Sequence, residues 1–226
     1  MSRQDASAVF RNRALHTMDL KFRSELHLAR RISHVLGIAF VAFLMEKLST
    51  RDSLFYLSVA ALVVLPFDIL RLKRPDLNHY IVRLFKPIIR IEEVATLSGT
   101  SFLIVGAFVS VLLFPKNIAV LAVLLLAFGD PASSIVGVLY GKDKIWGRKS
   151  LQGAVACFIT CTIVCGTYFL SHNLMVERIV LVSVIGGLIG ALSELVQISR
   201  LDDNMTFPIF ASLGLWSMFA LFGGFS

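Results

Sequence analysis

Charged residues are scarce in this chain, and their scarcity limits the class of protein it can be. Only 16% of the 226 residues are charged, 56% are hydrophobic, and the mean hydropathy is +0.77. A soluble domain carries about 25% charged residues. The composition therefore argues against a soluble protein with a large core, and we expect lipid to surround most of the surface.

Cysteine is scarce as well, with three residues in the whole chain. Cys157, Cys161 and Cys165 follow Gly153 at four-residue steps, which places all four on one side of a helix. Three cysteines give no disulfide framework, and a metal site would need more ligands and a partner histidine. We interpret the four residues as a small-residue stripe for helix packing.

The sequence also lacks a signal peptide and a nucleic-acid-binding pattern. The residues before Ile32 are polar and basic, so we expect no cleaved leader, and no lipidation motif is visible. The net charge is +7. However, no basic stretch is interleaved with aromatic residues in a fold that binds nucleic acid, so we expect no nucleic-acid partner.

Long apolar runs are abundant. A helix needs about 20 apolar residues to cross a bilayer, and the candidates are residues 32–48, 53–70, 94–114, 118–140, 151–170, 179–198 and 206–225. Pro66 and Asp68 interrupt the second run. Gly129-Asp130-Pro131 breaks the fourth, which predicts one discontinuous span or a short span followed by a re-entrant or interfacial piece. The sequence thus predicts an all-α, polytopic membrane protein with about seven transmembrane helices.

The distribution of Lys and Arg predicts the orientation. If the N-terminus is cytoplasmic, the cytoplasmic segments 1–31, 71–93, 141–150 and 199–205 hold 18 of the 22 Lys and Arg residues. This bias predicts a cytoplasmic N-terminus and an outer C-terminus. We divide the chain into a basic N-terminal segment, 1–31, and a membrane-embedded domain, 32–226.

The N-terminal segment has two interpretations. Leu15, Met18, Phe22 and Leu26 recur at three- and four-residue steps among basic residues. This spacing is typical of an amphipathic helix that lies on anionic lipid headgroups. A flexible basic tail that obeys the positive-inside rule is the alternative.

Polar residues collect at the predicted cytoplasmic ends of the spans, and polar groups near membrane spans suggest function because they are costly there. They are Arg30, Arg31 and His34 at the mouth of the first span, Asp68 and Arg71 at the exit of the second, Glu92 and Glu93 at the entry to the third, Asp130 in the fourth, Glu194 in the sixth, and Asp202, Asp203 and Asn204 between the sixth and the seventh. The outer face has no comparable cluster. We therefore expect a functional site on the cytoplasmic face.

Simpler roles remain open for some of these residues. Arg30 and Arg31 also fit a topology signal, and Asp68 and Arg71, three residues apart, also fit a snorkelling ion pair. The 202–204 stretch also fits a helix N-cap. Glu194 is harder to explain in this way, because it lies within a span.

The loop between the fourth and fifth spans has the composition of a phosphate site. Lys149-Ser150 begins the fifth span, where free backbone N–H groups and the helix dipole attract anions. Lys142, Lys144 and Arg148 add positive charge, and Gly137, Gly141 and Gly147 permit a close backbone approach. The spacing is not that of a Walker A loop.

Asp130 supplies the opposite charge nearby. A carboxylate beside a phosphate cradle suggests Mg²⁺, which prefers one or two carboxylates together with substrate phosphates. Asp202 and Asp203 offer further ligands. These parts predict phosphoryl or nucleotidyl transfer at the cytoplasmic surface, with a lipid as second substrate.

From Arg30 to Leu213 the chain resembles the CTP-dependent lipid kinases, which include yeast-type diacylglycerol kinase, dolichol kinase and phytol kinase, and it looks closest to the diacylglycerol kinase branch. The resemblance rests on Arg-Arg-x-x-His at 30–34, Asp68-x-x-Arg71 with Asn78, Glu93 with Gly99, Asp130 with Gly137 and Gly141, Lys149-Ser150-Leu151 with Gly153, Glu194, and Asp202-Asp203-Asn204 with Pro208. Arg31 stands where the family commonly has Lys.

The resemblance implies transfer of the CTP γ-phosphate to the hydroxyl of diacylglycerol, a polyprenol or phytol, with Mg²⁺ or another divalent cation. It implies that Arg30, Arg31, Asp130 and Gly137 are essential. Our own hypotheses for the individual roles are catalysis by Asp130, Glu194, Arg30 and Arg31, and metal binding by Asp130 with Asp202 or Asp203. The residues expected to contact the nucleotide are Gly137, Gly141, Lys142, Lys149, Ser150, His34, Asp68 and Arg71. Glu194 or Asp130 is expected to take the proton of the lipid hydroxyl.

Two rival functions remain. A phosphatidate cytidylyltransferase also joins CTP to a lipid, but its C-terminal signature is missing here. A small transporter would place polar groups on both sides of a gate, often with an internal repeat. The sequence has neither feature.

Overall fold

The computed structural model describes residues 28–86, 88–89, 91–147, 149–198 and 201–225. Most of the basic N-terminal segment, including the predicted amphipathic stretch, lies outside these residues. The described elements are α1 (Leu28–Lys47), α2 (Thr50–Lys73), α3 (Pro75–Leu84), α4 (Gly99–Leu113), α5 (Lys116–Tyr140), β1 (Lys144–Trp146), β2 (Lys149–Ser150), α6 (Leu151–Ser171), α7 (Ile179–Leu195) and α8 (Asp203–Phe222), with 3₁₀ turns at Ile91–Val94 and Val176–Arg178.

Each of the seven predicted spans coincides with one of the long helices. Five of them, α2, α5, α6, α7 and α8, are long and apolar enough to cross a membrane. Helix α4 is apolar but has 15 residues, and α1 carries charged residues at both ends. The prediction of an all-α integral membrane protein is confirmed, whereas the count of seven crossings stays a prediction.

The prolines do not break their helices. Helix α2 continues through Pro66 and α5 through Pro131, so the expected break at Gly129-Asp130-Pro131 does not occur. A proline inside a helix removes one backbone hydrogen bond, but a full break in lipid would leave more backbone groups unpaired. Helix α5 is also held on several sides, because it packs against α1, α6 and α8.

The core lies around the first half of α5. Its residues from Ile118 to Val123 are at most 1% exposed. The three cysteines of α6 are fully buried and free, and a Cβ added at Gly190 of α7 would lie 2.6 Å from the sulfur of Cys161. This is the close helix approach that the stripe of small residues predicted.

Alternating helix directions bring the polar segments to one end of the bundle. Helices α1, α4, α6 and α8 begin there, and α2, α5 and α7 end there. Side-chain caps fix three of the starts: Ser98 accepts from the Ser101 N–H, Ser150 from the Gly153 N–H, and Asp202 from the Asn204 N–H. We call this the polar end.

A short hairpin closes the polar end between α5 and α6. Strands β1 and β2 pair antiparallel, and the turn includes Gly147, whose φ of +54° favours glycine. This hairpin, which the sequence did not predict, carries Lys149 and Ser150 to the start of α6. It thereby fixes where the predicted phosphate cradle lies.

Candidate active site

A cavity of ≈ 370 Å³ opens at the polar end; we call it the polar cavity. Segments distant in sequence line it, and nearly all of its side chains are polar or glycine. The lining residues include Arg30, His34, Asp130, Ser133, Gly137, Gly141, Lys144, Lys149, Ser150, Glu194, Gln197, Asp202, Asp203 and Asn204. The sequence-predicted cluster therefore converges on one space.

Lys149 lies at the centre of the cavity's charges. Its Nζ donates to Oε1 of Glu194 at 2.7 Å and to Oδ2 of Asp203 at 3.2 Å. Burial alone would lower the pKa of the Lys149 ammonium, but Asp203, Glu194 and Asp130 outweigh it and raise that pKa above its ordinary value. Lys149 is therefore a permanent cation at the start of α6.

Glu194 is the most deeply buried acid of the site, with 3% exposure. Its Oε1 also accepts from the Ser133 hydroxyl at 2.8 Å. Among the described residues, its Oε2 has no hydrogen-bond partner. A buried carboxylate oxygen without a partner can accept a hydrogen bond from a ligand or bind a cation.

Asp130 faces the first helix across the cavity. Its Oδ2 lies 3.5 Å from Nε2 of His34. Asp130, Ser133 and Gly137 recur at three- and four-residue steps, so they share one face of α5. The helix thus presents a carboxylate, a hydroxyl and a bare backbone in turn to the same cavity.

Asp202 and Asp203 belong to the start of α8. Asp202 caps the helix, and Asp203 binds Lys149. In the described part of the chain, no three His, Cys, Asp or Glu side chains are grouped to hold a metal ion by themselves. The donors are nevertheless oxygens, and Mg²⁺ commonly completes its shell with phosphate oxygens and water, so the residues fit this ion.

The glycines allow α6 to approach the end of α5. A Cβ added at Gly137 would lie 3.1 Å from the Ser150 hydroxyl, and one added at Gly141 would collide with the Gly137 carbonyl oxygen. Gly153 of α6 is equally close to Ser133. These glycines therefore have a structural role in placing Ser150 and Lys149 against α5.

Arg30 and Arg31 differ although they are adjacent. Arg30 makes a forked contact with both carboxylate oxygens of Glu93, at 2.5 and 2.8 Å, and also donates to the Ile88 carbonyl. It lines the polar cavity while it fastens α1 to the segment before α4. Arg31 is also buried, but it does not line the polar cavity. Within the described structure its Nη1 has no hydrogen-bond partner.

Asp68 and Arg71 form a buried pair at 2.7 Å. Asp68 also accepts from the Ser98 N–H and the Ser101 hydroxyl, and Arg71 donates to Asn78 and to two backbone carbonyls. The pair thus organises the chain between α2 and α4. Neither residue lines the polar cavity, so their predicted nucleotide contact has no geometric support.

Lys142 is exposed, and its backbone N–H donates to the Gln152 side chain. Lys142 does not line the polar cavity, whereas Lys144 does. The lining residues that sequence reasoning missed include Ser133 and Gln197. The spacing of Ser133 from Asp130 was a usable signal for the first, whereas nothing in the pattern indicated Gln197.

A second cavity, of ≈ 830 Å³, adjoins the first; we call it the apolar cavity. Its wall is made mostly of apolar side chains from α1, α2 and α4. Arg30, His34 and Asn204 line both cavities. The Asn204 amide donates to the Gly99 carbonyl at 3.0 Å, which ties α8 to α4 at this boundary.

Comparison with known proteins gives the family. No protein-family model matches the chain, and no solved structure matches it. The chain is similar to three yeast proteins that are each named CTP-dependent diacylglycerol kinase 1. Identity is 27% with that of Saccharomyces cerevisiae, where the match covers 85% of this chain and 73% of the relative. It is 28% with that of Eremothecium gossypii, over 88% and 69%.

The third relative, from Schizosaccharomyces pombe, is 30% identical over 159 residues, which are 66% of this chain and 73% of the relative. The matches with all three relatives therefore extend over most of each protein. The chain belongs to the CTP-dependent diacylglycerol kinase family.

Proposed function

We propose that the polar cavity binds CTP and transfers its γ-phosphate to the hydroxyl of diacylglycerol, giving CDP and phosphatidate. The names of the yeast relatives support the donor and the acceptor. The observation that carries the proposal is the position of Lys149, a largely buried cation between Glu194 and Asp203 at the start of a helix. Helix starts and cations are the two features that favour bound phosphate.

The triphosphate lies against the start of α6. Lys149 and the backbone at Ser150 hold the β- and γ-phosphates, and Lys144 and Arg30 add positive charge from the cavity wall. Arg31 contributes only long-range charge, because it does not line the cavity. Phosphoryl transfer depends mainly on positioning and on charge neutralisation, and these residues supply both.

The carboxylates complete the site. Asp130 with Asp202 or Asp203 would hold Mg²⁺, which when bound neutralises charge on the transferring phosphate. The lipid hydroxyl loses its proton to Asp130 or Glu194. Because Lys149 and Ser133 both donate to Oε1 of Glu194, only its Oε2 is open to this role.

We propose that the reaction takes place on the cytoplasmic side of the membrane. The predicted cytoplasmic segments hold 18 of the 22 Lys and Arg residues, as the positive-inside rule requires. CTP is a cytoplasmic metabolite, so a cavity at this end has access to it. The basic residues there also favour a leaflet with anionic headgroups.

The test is a transfer assay on the purified protein. γ-Labelled CTP or ATP is offered with Mg²⁺ and, separately, diacylglycerol, undecaprenol or phytol. We expect labelled phosphatidate from CTP, and roughly 10²-fold less or lower from the Asp130→Asn variant. Label on a different lipid, or only from ATP, would overturn the assignment of acceptor or donor.

The rival functions predict different products. A cytidylyltransferase would release pyrophosphate when phosphatidate is supplied and would label no lipid from γ-labelled CTP. A transporter would give no chemical product in any reaction. Either result would overturn the proposed kinase.

A further inference from the structure

The apolar cavity is long enough to hold an extended lipid tail. Along the first helix its lining runs from Arg30 to Leu48, a distance of about 27 Å at ~1.5 Å per residue. The hydrocarbon core of a bilayer is about 30 Å thick. The lining along this helix is therefore nearly as long as the hydrocarbon core of a bilayer is thick.

The cavity exists because two consecutive helices are held apart. Only Leu48 and Ser49 separate α1 from α2, yet α1 packs mainly against α5 and α2 mainly against α4. The side chains that face the gap are mostly apolar, and the charged ones, Arg30, Asp68, Arg71 and Glu93, belong to the polar end. The apolar ones include Val41, Leu44, Leu57, Val64, Leu103 and Ile104.

A gap of this kind is suited to hydrocarbon. Protein interiors are close-packed, and a large empty space forfeits many van der Waals contacts. Water needs two to four polar partners to occupy a cavity, and the walls between the two ends offer few. Ligand pockets are typically about 300–1,000 Å³, so the ≈ 830 Å³ cavity has room for a lipid tail.

The apolar cavity meets the polar cavity, our proposed nucleotide site, at the polar end of the bundle. Arg30, His34 and Asn204 form a shared wall, with the apolar cavity on one side and Asp130 and Lys149 in the polar cavity on the other. A tail in the apolar cavity would therefore present its headgroup at these three residues.

We propose that the apolar cavity is the acceptor site and holds the hydrocarbon tail of the lipid alcohol, with the reacting hydroxyl at Arg30, His34 and Asn204. The inference rests on the proposed function. In the transfer, the hydroxyl oxygen bonds to the γ-phosphorus, the bond from that phosphorus to the β,γ-bridging oxygen breaks, and CDP leaves. The hydroxyl proton passes to a carboxylate of the polar cavity.

Gly37 allows the cavity to be filled without disturbing the packing. It lies on α1 in the cavity wall, and a Cβ added there meets no atom within 4 Å. Gly37→Phe therefore places a ring in the gap. Ala60→Phe does the same from the facing wall on α2, and Leu36→Phe, on the exposed side of α1 outside the cavity, is the matched control.

The kinetic test compares long-chain with short-chain diacylglycerol. We expect both cavity-filling variants to lose about tenfold or more in kcat/KM for the long-chain lipid, a loss typical of an obstructed apolar pocket. The KM for CTP stays close to that of the unsubstituted protein, and kcat/KM falls less for the short-chain lipid than for the long-chain lipid, because a shorter tail occupies less of the cavity. Leu36→Phe behaves like the unsubstituted protein in every assay. Unchanged long-chain kinetics in both variants would overturn the proposal.

A second readout does not depend on catalysis. Diacylglycerol with a photoreactive group in its tail is crosslinked to the detergent-solubilised protein without CTP, and the labelled peptides are identified. We expect labelling of α1, α2 and α4 that Gly37→Phe suppresses. Labelling spread over lipid-facing positions such as Leu62 and Val180 would overturn the proposal.

The two readouts separate this inference from the proposed function. Cavity labelling in a protein that phosphorylates no lipid would support the binding site and overturn the kinase assignment. Transfer to long-chain lipid by all three variants alike would support the kinase and overturn the acceptor site. Gel filtration and thermal unfolding show whether each variant is folded, and Ala60→Phe replaces Gly37→Phe if the latter is not.

Discussion

Lys149 and Glu194 form a 2.7 Å ion pair although 45 positions separate them in the sequence. The pair joins the start of α6 to the end of α7. The side chains are only 13% and 3% exposed, so water compensates neither charge well. Each group depends on the other, and removal of one partner of a buried pair is strongly destabilising.

Lys149→Met tests this dependence. The variant leaves the Glu194 carboxylate buried without its main counter-charge, so we expect a loss of about 3–5 kcal/mol in the free energy of unfolding and no phosphate transfer. In the double variant Lys149→Met/Glu194→Gln, most of the stability should return while transfer stays absent. Thermal unfolding in detergent measures the loss of stability in the single variant and its recovery in the double variant. An unfolding temperature equal to that of the unsubstituted protein in the single variant would refute it.

The same pair predicts a pH dependence of stability. Burial opposes the charge of Lys149, but Asp203, Glu194 and Asp130 raise its pKa above the ordinary value. A group whose pKa is raised on folding contributes stability that is complete below its unfolded pKa, about 10.4 for lysine. That stability is lost as the pH rises through the folded value.

The stability difference between the unsubstituted protein and Lys149→Met should therefore be constant from neutral pH to about pH 9 and should shrink only above about 10.4. Chemical denaturation at a series of pH values measures this difference. A decrease that begins near neutral pH would contradict the raised pKa.

Asp130 is expected to be essential to transfer but not to folding. Asp130→Asn keeps the shape and removes the charge, so transfer should fall by roughly 10²-fold or more, as when a charge-stabilising group is lost, and more Mg²⁺ should be needed for half-maximal activity. Asp143→Asn is the matched control, because Asp143 is exposed and bonds to Gln152 outside the polar cavity. Equal loss in both variants would argue against a specific role for Asp130.

Arg30 and Arg31 should respond differently to lysine. Arg30→Lys breaks the forked contact with Glu93, which a single ammonium cannot reproduce. We expect a loss of about 1–3 kcal/mol in stability, the magnitude for a hydrogen bond to a charged group. Arg31 makes no comparable fork in the described structure, so Arg31→Lys should change the unfolding temperature little. The reverse order of effects would refute this assignment.

Gly141 should not tolerate a side chain. In Gly141→Ala the added Cβ collides with the Gly137 carbonyl oxygen and lies 2.7 Å from the Ser150 hydroxyl. We expect a loss of about 1–3 kcal/mol, as for an overpacked core, and reduced transfer because Lys149 moves with Ser150. Gly37→Ala, which meets open space, should instead leave stability equal or raised by up to about 1 kcal/mol. Unfolding temperatures of the two variants decide the comparison.

Much of the fold was predictable because the signals are local. Apolar runs of sufficient length located each long helix, and the cap residues Ser150 and Asp202 marked two helix starts. The four-residue steps of Cys157, Cys161 and Cys165 predicted a packed face. The break expected at Pro131 was wrong because neighbouring helices and the surrounding lipid favour a continuous helix.

Part of the site was predictable as well. Charged residues in a membrane segment need partners, so Asp130, Glu194 and Lys149 had to be close to compensating groups. Their pairing was not predictable, because nothing local indicates that Lys149 meets Glu194 rather than Asp130. For the same reason Asp68 and Arg71 looked like nucleotide contacts, although the structure uses them to join α2 to α4.

The sequence by itself determined the membrane class, the helices and the end of the bundle at which the polar residues gather, because hydropathy and alternating helix direction are properties of the chain. Only the tertiary structure decided which polar groups share a cavity. It also decided that α1 and α2 diverge, so that an apolar cavity meets the polar one at Arg30, His34 and Asn204. Such contacts depend on how whole helices pack, and packing sums many weak interactions between residues that are distant in the chain.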